Sequence, residues 1–211
     1  PDSNIENSPS VIAGTLPTGF SARQAGLARY AGEKSIGTTS WGNPITAEMT
    51  EDNVVVQYYD YGKFEYHPSD PDGRVVHFGD LGRQLQPFMV RRASGSGSSE
   101  ANEASLAARA WVPMPSKLAR PDSLSWEYIP DTGHGVAGAF KDLWDDTGGS
   151  SYLGDPLTEQ YKVDGVTYQV FERGKVEQAA GEQPEVMPIG KMAVERMGLD
   201  TEATAQGDIP T

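Results

Sequence analysis

The side chains that could do chemistry are three histidines, thirty acidic residues and a set of aromatic rings; there is no cysteine, so a thiolate site and a disulfide framework are both excluded. His67, His77 and His134 lack the i, i+4 spacing of a helical zinc pair. Only His67 and His77 could converge, across the loop between them, and surface or capping roles suit all three better. In His67-Pro68-Ser69-Asp70-Pro71-Asp72-Gly73, Asp70 and Asp72 are weak calcium candidates because the later acidic ligand of an EF-hand loop is missing. The same residues spell a type I turn, which is the preferred reading, and no cofactor is expected. Gly95-Ser96-Gly97 lacks the strand-to-helix context of a nucleophilic serine. Glu65 and Glu177 could in principle flank a glycosidic bond. Their matching positions fit strand-surface residues paired with Lys63 and Lys175 better. Asp145 and Asp146 close a predicted helix where the dipole disfavours them, so a contact could hold them there.

Aromatic residues are the stronger lead. Flat rings with polar edges stack on sugars or fill protein interfaces, and the candidate binding residues are Tyr61, Tyr66, Tyr59, Trp41 and Tyr152. Tyr61, at a hairpin turn, and Tyr66, at a strand end, have the best prospect of exposure. Trp144 falls on a helical stripe and is expected in the core.

The elements that must position these rings occur twice. Gly42–Tyr66 and Gly154–Gln178 agree at nine of 25 positions, mostly glycine, proline, turn and strand residues. Each half is expected to be α+β: a helix, a Gly-rich loop, a three-stranded antiparallel meander and a short closing helix, as two tandem repeats. Val136, Phe140, Leu143 and Trp144 predict a helix of about three turns ended by Gly148-Gly149; Phe20, Leu27 and Tyr30 are the looser counterpart. Asp52-Asn53 and Asp164-Gly165 predict tight hairpins. Val54, Val56 and Tyr58 are expected on the core side, with Val55, Gln57 and Tyr59 opposite, Phe64 and Val176 inward, and closing helices at Gly79–Phe88 and Gly190–Met197.

Residues 1–18 read as a flexible leader, 19–90 as the first repeat, 91–125 as a Ser/Gly-containing linker, 126–199 as the second repeat and 200–211 as a polar tail. No apolar run is long enough to span a bilayer. A net charge of −13 repels phosphate backbones and argues against nucleic acid as a partner. The start at Pro1-Asp2 without methionine fits a removed secretion signal as well as a trimmed boundary.

Gly148-Gly149 and Leu153-Gly154-Asp155-Pro156, followed by Gln169-Val170-Phe171-Glu172-Arg173-Gly174, resemble an LGFP-type repeat; Trp41-Gly42-Asn43-Pro44 with Gln57-Tyr58-Tyr59-Asp60-Tyr61-Gly62 is a looser match. The resemblance implies an exported bacterial protein, secreted or on the cell envelope, that attaches to cell-wall glycan or to another envelope protein without catalysing a reaction. No catalytic residues are carried over. A structural subunit of a self-assembling extracellular structure is the alternative, and an orphan hydrolase the third.

Overall fold

The computed structural model describes residues 41–67, 69, 71, 76–91, 105–118 and 121–201. The expected leader, the Phe20/Leu27/Tyr30 helix, the core of the Ser/Gly linker, most of the polar tail and the calcium candidates Asp70 and Asp72 lie outside the described residues.

The chain is mixed α+β with antiparallel sheets. The first sheet runs in the order β1 (Met49–Glu51), β2 (Val54–Tyr59), β3 (Gly62–Tyr66), β4 (Val76–Phe78). Its β1–β2 turn is built on Asp52 and Asn53, both at positive φ (47° and 66°), as the turn chemistry predicts. Helix α1 (Leu81–Arg91) follows β4 and continues through Pro87. Residues 105–110 form α2. A hairpin of β5 (Trp126–Ile129) and β6 (His134–Ala137) leads into α3 (Gly138–Asp146). The second four-stranded sheet contains β7 (Tyr161–Val163), β8 (Val166–Val170), β9 (Lys175–Gln178) and β10 (Glu185–Val186), and α4 (Ile189–Met197) comes last.

Each meander has four strands where three were expected. The fourth strands are short edges whose apolar pairs carry little pattern of their own; they are fixed by registers such as Phe64↔Phe78 and Val176↔Val186. Val136 belongs to strand β6 and not to the helical stripe. Gly138, at φ 55°, breaks the chain between them, and only Phe140 and Trp144 of the stripe are buried on α3. Residues 105–110, expected as linker, are helical because Leu106-Ala107-Ala108-Arg109-Ala110 is rich in strong helix formers. Ala107 and Ala110 are buried, and the Ala110 carbonyl accepts the Glu159 amide at 2.9 Å.

Register also corrects the assignment of faces. Directly opposed residues share a face, so Gln57↔Phe64 and Tyr59↔Gly62 place Gln57, Tyr59 and Phe64 together. That face is the aromatic core: Phe64 meets Trp41 edge-on at 5.5 Å, Tyr59 at 4.9 Å and Phe78 at 5.2 Å between centroids. Val56 and Tyr58, on the other face, are buried as well.

The chain forms two compact units. One contains the described residues up to Gly79 together with Gly190 onward; the other is Asp80–Ile189. This division differs from the expected 19–90 and 126–199, because α1 belongs with the second sheet and nearly all of α4 with the first. Only Gly79-Asp80 separate β4 from α1, and only Met187-Pro188 separate β10 from α4.

Two glycines make these placements possible. Gly82 donates its amide to the Glu172 carbonyl at 2.8 Å, and Gly190 donates to the Asp60 carbonyl at 3.1 Å. A Cβ on Gly82 would lie inside the van der Waals radius of the Phe171 carbonyl oxygen, and one on Gly190 inside that of the Tyr59 oxygen. Gly82→Ala and Gly190→Ala are each expected to cost about 2–3 kcal/mol as overpacking against backbone, whereas Gly181→Ala, with open space at its Cβ, should lose only what its positive φ costs. Urea denaturation of the three variants checks this.

Candidate functional site

The sequence-predicted binding residues separate by burial. Trp41, Tyr59 and Tyr152 are in the cores, at 2%, 2% and 1% exposure, and serve packing there. Tyr61 and Tyr66 are half-buried. Tyr61 sits in the β2–β3 turn and donates its amide to the Trp41 carbonyl at 3.1 Å; Tyr66 ends β3 opposite Val55 and Val76. Of the five, these two keep some exposure to solvent.

The turn that carries Tyr61 is built by a carboxylate. Asp60 Oδ2 accepts the Asn43 amide at 2.8 Å, and Oδ1 pairs with Lys191 Nζ on α4 at 3.0 Å. The second unit repeats the arrangement: Glu172 Oε2 accepts the Asp155 amide at 3.2 Å, and Oε1 accepts from Arg83 Nη2 on α1 at 2.7 Å. Asn43 and Asp155 are the variable residues of the two Gly-x-Pro loops. Gly42 and Gly154 sit at φ 76° and 78° with the acidic side chain packed where a Cβ would go, so glycine is required at both.

Beneath each loop a buried glutamine satisfies backbone that the loop leaves open. Gln57 Nε2 donates to the Thr46 carbonyl at 3.1 Å, and Gln169 Nε2 donates to the Thr158 and Gly135 carbonyls at 2.9 and 2.8 Å. The hydroxyls of Thr46 and Thr158 accept the amides of Tyr58 and Val170.

On the opposite face of the first sheet the ionisable side chains gather. Lys63, only 7% exposed, pairs with Glu51 at 3.1 Å and Glu65 at 3.0 Å. The Tyr58 hydroxyl donates to Glu51 Oε1 at 2.6 Å, and His67 Nε2 lies 3.2 Å from Glu65 Oε2. His67 and His77 meet edge to face, 4.7 Å between centroids, so the convergence considered from sequence occurs. Among the described residues no group of three His, Asp or Glu side chains is arranged to hold a metal ion. The sequence missed Glu51 and Tyr58 as members of this network because their partners come from a different strand.

The matching face of the second sheet is different. Lys175 Nζ stands 4.3 Å above the Tyr168 ring, which lies tilted against Tyr161 with 5.8 Å between centroids. Beside it, Glu177, Glu182 and Glu185 with Val166 and Pro184 line a hollow of about 560 Å³. In the first unit an open groove of about 810 Å³ runs between Pro44-Ile45 and Lys191, Val194 and Leu199.

The remaining candidates are structural. His134 is buried with Nδ1 3.4 Å from Glu159 Oε1. Asp145 has the contact its position called for, accepting from Lys141 Nζ at 2.6 Å, and Lys141 also pairs with Glu127. Trp144 donates Nε1 to the Gly154 carbonyl at 2.9 Å from the core.

Burial, reinforced by the charge of Glu48, holds the Tyr59 hydroxyl neutral far above the ordinary phenol range. The hydrogen bond that Lys141 donates to Asp145 raises its pKa in the same sense, against desolvation. A folded-state pKa raised above the unfolded value stabilises fully below the unfolded value and is lost above it. Stability should therefore hold up to about pH 10 and fall beyond it, as unfolded tyrosine and lysine release protons that the folded chain keeps. Urea unfolding from pH 8 to 11 checks this, and Tyr59→Phe should remove part of the alkaline fall. Asp60→Ala, which leaves the Asn43 amide without its acceptor, should cost about 1–3 kcal/mol at neutral pH.

No protein-family model matches this chain, and no curated protein sequence matches it at a significant level.

Proposed function

We propose that the chain consists of two tandem copies of one α+β repeat of the LGFP type, from an exported protein of a bacterial cell envelope, and that it attaches to cell-wall glycan or to a partner protein without catalysing a reaction. The observation that carries the reading is the constant offset of 112 residues between equivalent bonds. Asp60 and Glu172, Gln57 and Gln169, Thr46 and Thr158, and Asn43 and Asp155 make the same contacts in the same order. In both copies these side chains are occupied in holding the Gly-x-Pro loop against the sheet, so their recurrence is a requirement of shape.

Recognition falls to side chains left over from that task. Tyr61 and Tyr66 on the first copy are the proposed contact rings. Among the described residues no helix is long and apolar enough to cross a membrane, which is compatible with attachment from outside the bilayer. An orphan hydrolase would draw on acidic side chains such as those of the hollow at Glu177, Glu182 and Glu185. A structural role in an extracellular assembly would draw on the same surfaces to bind further copies.

Co-sedimentation with isolated bacterial cell wall tests the reading. Retention that soluble wall glycan reverses is expected, and Tyr61→Ser with Tyr66→Ser should lower it about tenfold, equivalent to about 1.4 kcal/mol, without changing the urea midpoint by more than a small amount. A protein that ignores cell wall and does not associate with itself would overturn both attachment and assembly.

A further inference from the structure

Resting on the reading of two equivalent copies, we infer that the closing helix is an exchangeable element, and that a second copy of this chain is a partner the fold is built to accept: α4 of one chain seats against the first sheet of another. Within one chain the exchange is already made. The helix that follows the first sheet is held by Glu172 of the second unit, and the helix that follows the second sheet is held by Asp60 of the first.

The polar contacts that seat each helix include several at its start. For α4 they include the Gly190 and Lys191 amides on the Asp60 carbonyl, at 3.1 and 3.2 Å, and the Lys191–Asp60 ion pair, with Ala193 and Val194 buried further along the helix. None of these groups can tell whether the Asp60 it meets belongs to its own chain or to another. The two-residue connections at Gly79-Asp80 and Met187-Pro188 favour handing the helix outward, the condition under which exchange between copies is cheap. The intrachain arrangement wins at low concentration only because tethering keeps the partner at an effective concentration of about 1 mM. Chains unfolded and refolded together near that concentration should close on each other, with every helix seated as before and no new interface required.

The test uses the unmodified full-length chain, mixed as equal parts of natural-abundance and 15N-labelled protein. The mixture is refolded from urea at about 5 µM and at about 500 µM, below and near the effective concentration. Monomer and dimer are separated by size exclusion with light scattering. A zero-length carbodiimide reagent then couples Lys191 to Asp60, whose charged atoms lie 3.0 Å apart, and mass spectrometry reads the isotope composition of the joined peptides. The expected result is a dimer at least tenfold more abundant at the higher concentration, carrying Lys191–Asp60 links of mixed isotope, while the monomer carries same-isotope links only. If the monomer shows the link but no dimer forms, or if the dimer contains only same-isotope links, exchange between chains is wrong and the reading of two equivalent copies stands. If the link is absent from every fraction, α4 does not seat on Asp60 at all, and the equivalence of the two copies falls with the exchange.

Discussion

A single carboxylate at the exit of the central strand ties three separate pieces of chain together in each unit, and the rest of the architecture depends on it. Asp60 and Glu172 each receive an amide from the Gly-x-Pro loop and a cation from a helix distant in sequence, while their own carbonyls accept amides from that helix's first turn. The first amides of any helix have no intrahelical partner and its N-terminus carries partial positive charge. Neither α1 nor α4 has an acidic residue in its first turn. The strand turn supplies the missing charge from outside, so the helix start and the loop are secured by the same group.

This clasp works because the sheets behind it are buried on both faces at their centres. Val56, Gln57, Tyr58 and Tyr59 are consecutive and all buried, as are Gln169, Val170 and Phe171. A strand covered on both sides must take polar groups inside, and an unpaired buried amide costs about 1–3 kcal/mol. The two glutamines meet that demand by donating to loop carbonyls. They also set the distance between loop and sheet. Trp41 and Leu153 then close the gap from the other side, each packed where a Cβ on Gly62 or Gly174 would collide.

The parts of this scheme that were legible in the sequence are those encoded by local backbone demand. Asp52-Asn53 and Asp164-Gly165 announce their hairpins because few other residues tolerate positive φ, and Gly42 and Gly154 mark loops for the same reason. Burial of Trp144 followed from helical spacing. The edge strands β4 and β10 were not legible, since two or three residues set no period. Val136 fell at helical spacing by coincidence, and Gly138 alone signalled the break. The sheet faces were misassigned because alternation gives two faces without saying which is inner, and only the cross-strand register with Phe64 decides it. For the binding candidates, Tyr59 and Tyr61 are two residues apart with the same ring, yet one is in the core and the other half-exposed. The destination of each closing helix was illegible for a deeper reason: both seats present an acidic side chain and a carbonyl at the same place, Asp60 in one and Glu172 in the other, so little in the sequence distinguishes a helix bound for its own sheet from one bound for the other.

Where the two units differ, the difference lies outside these shared requirements of shape. The shared groups are consumed by the clasp and the glutamine anchors. On the outer face, Glu51, Tyr58 and His67 stand at the positions of Val163, Val170 and Ala179, turning an apolar surface into the ionic network around Lys63. A partly buried network of this kind is a costly substitute for packing, because each charge must be desolvated before it is paired. Stability alone does not call for it, since the second unit builds the same sheet with Lys175 resting on an aromatic ring. The ionic network around Lys63 and the His67–His77 pair is accordingly a feature of the first unit that packing alone does not explain, and the proposed attachment would draw on it.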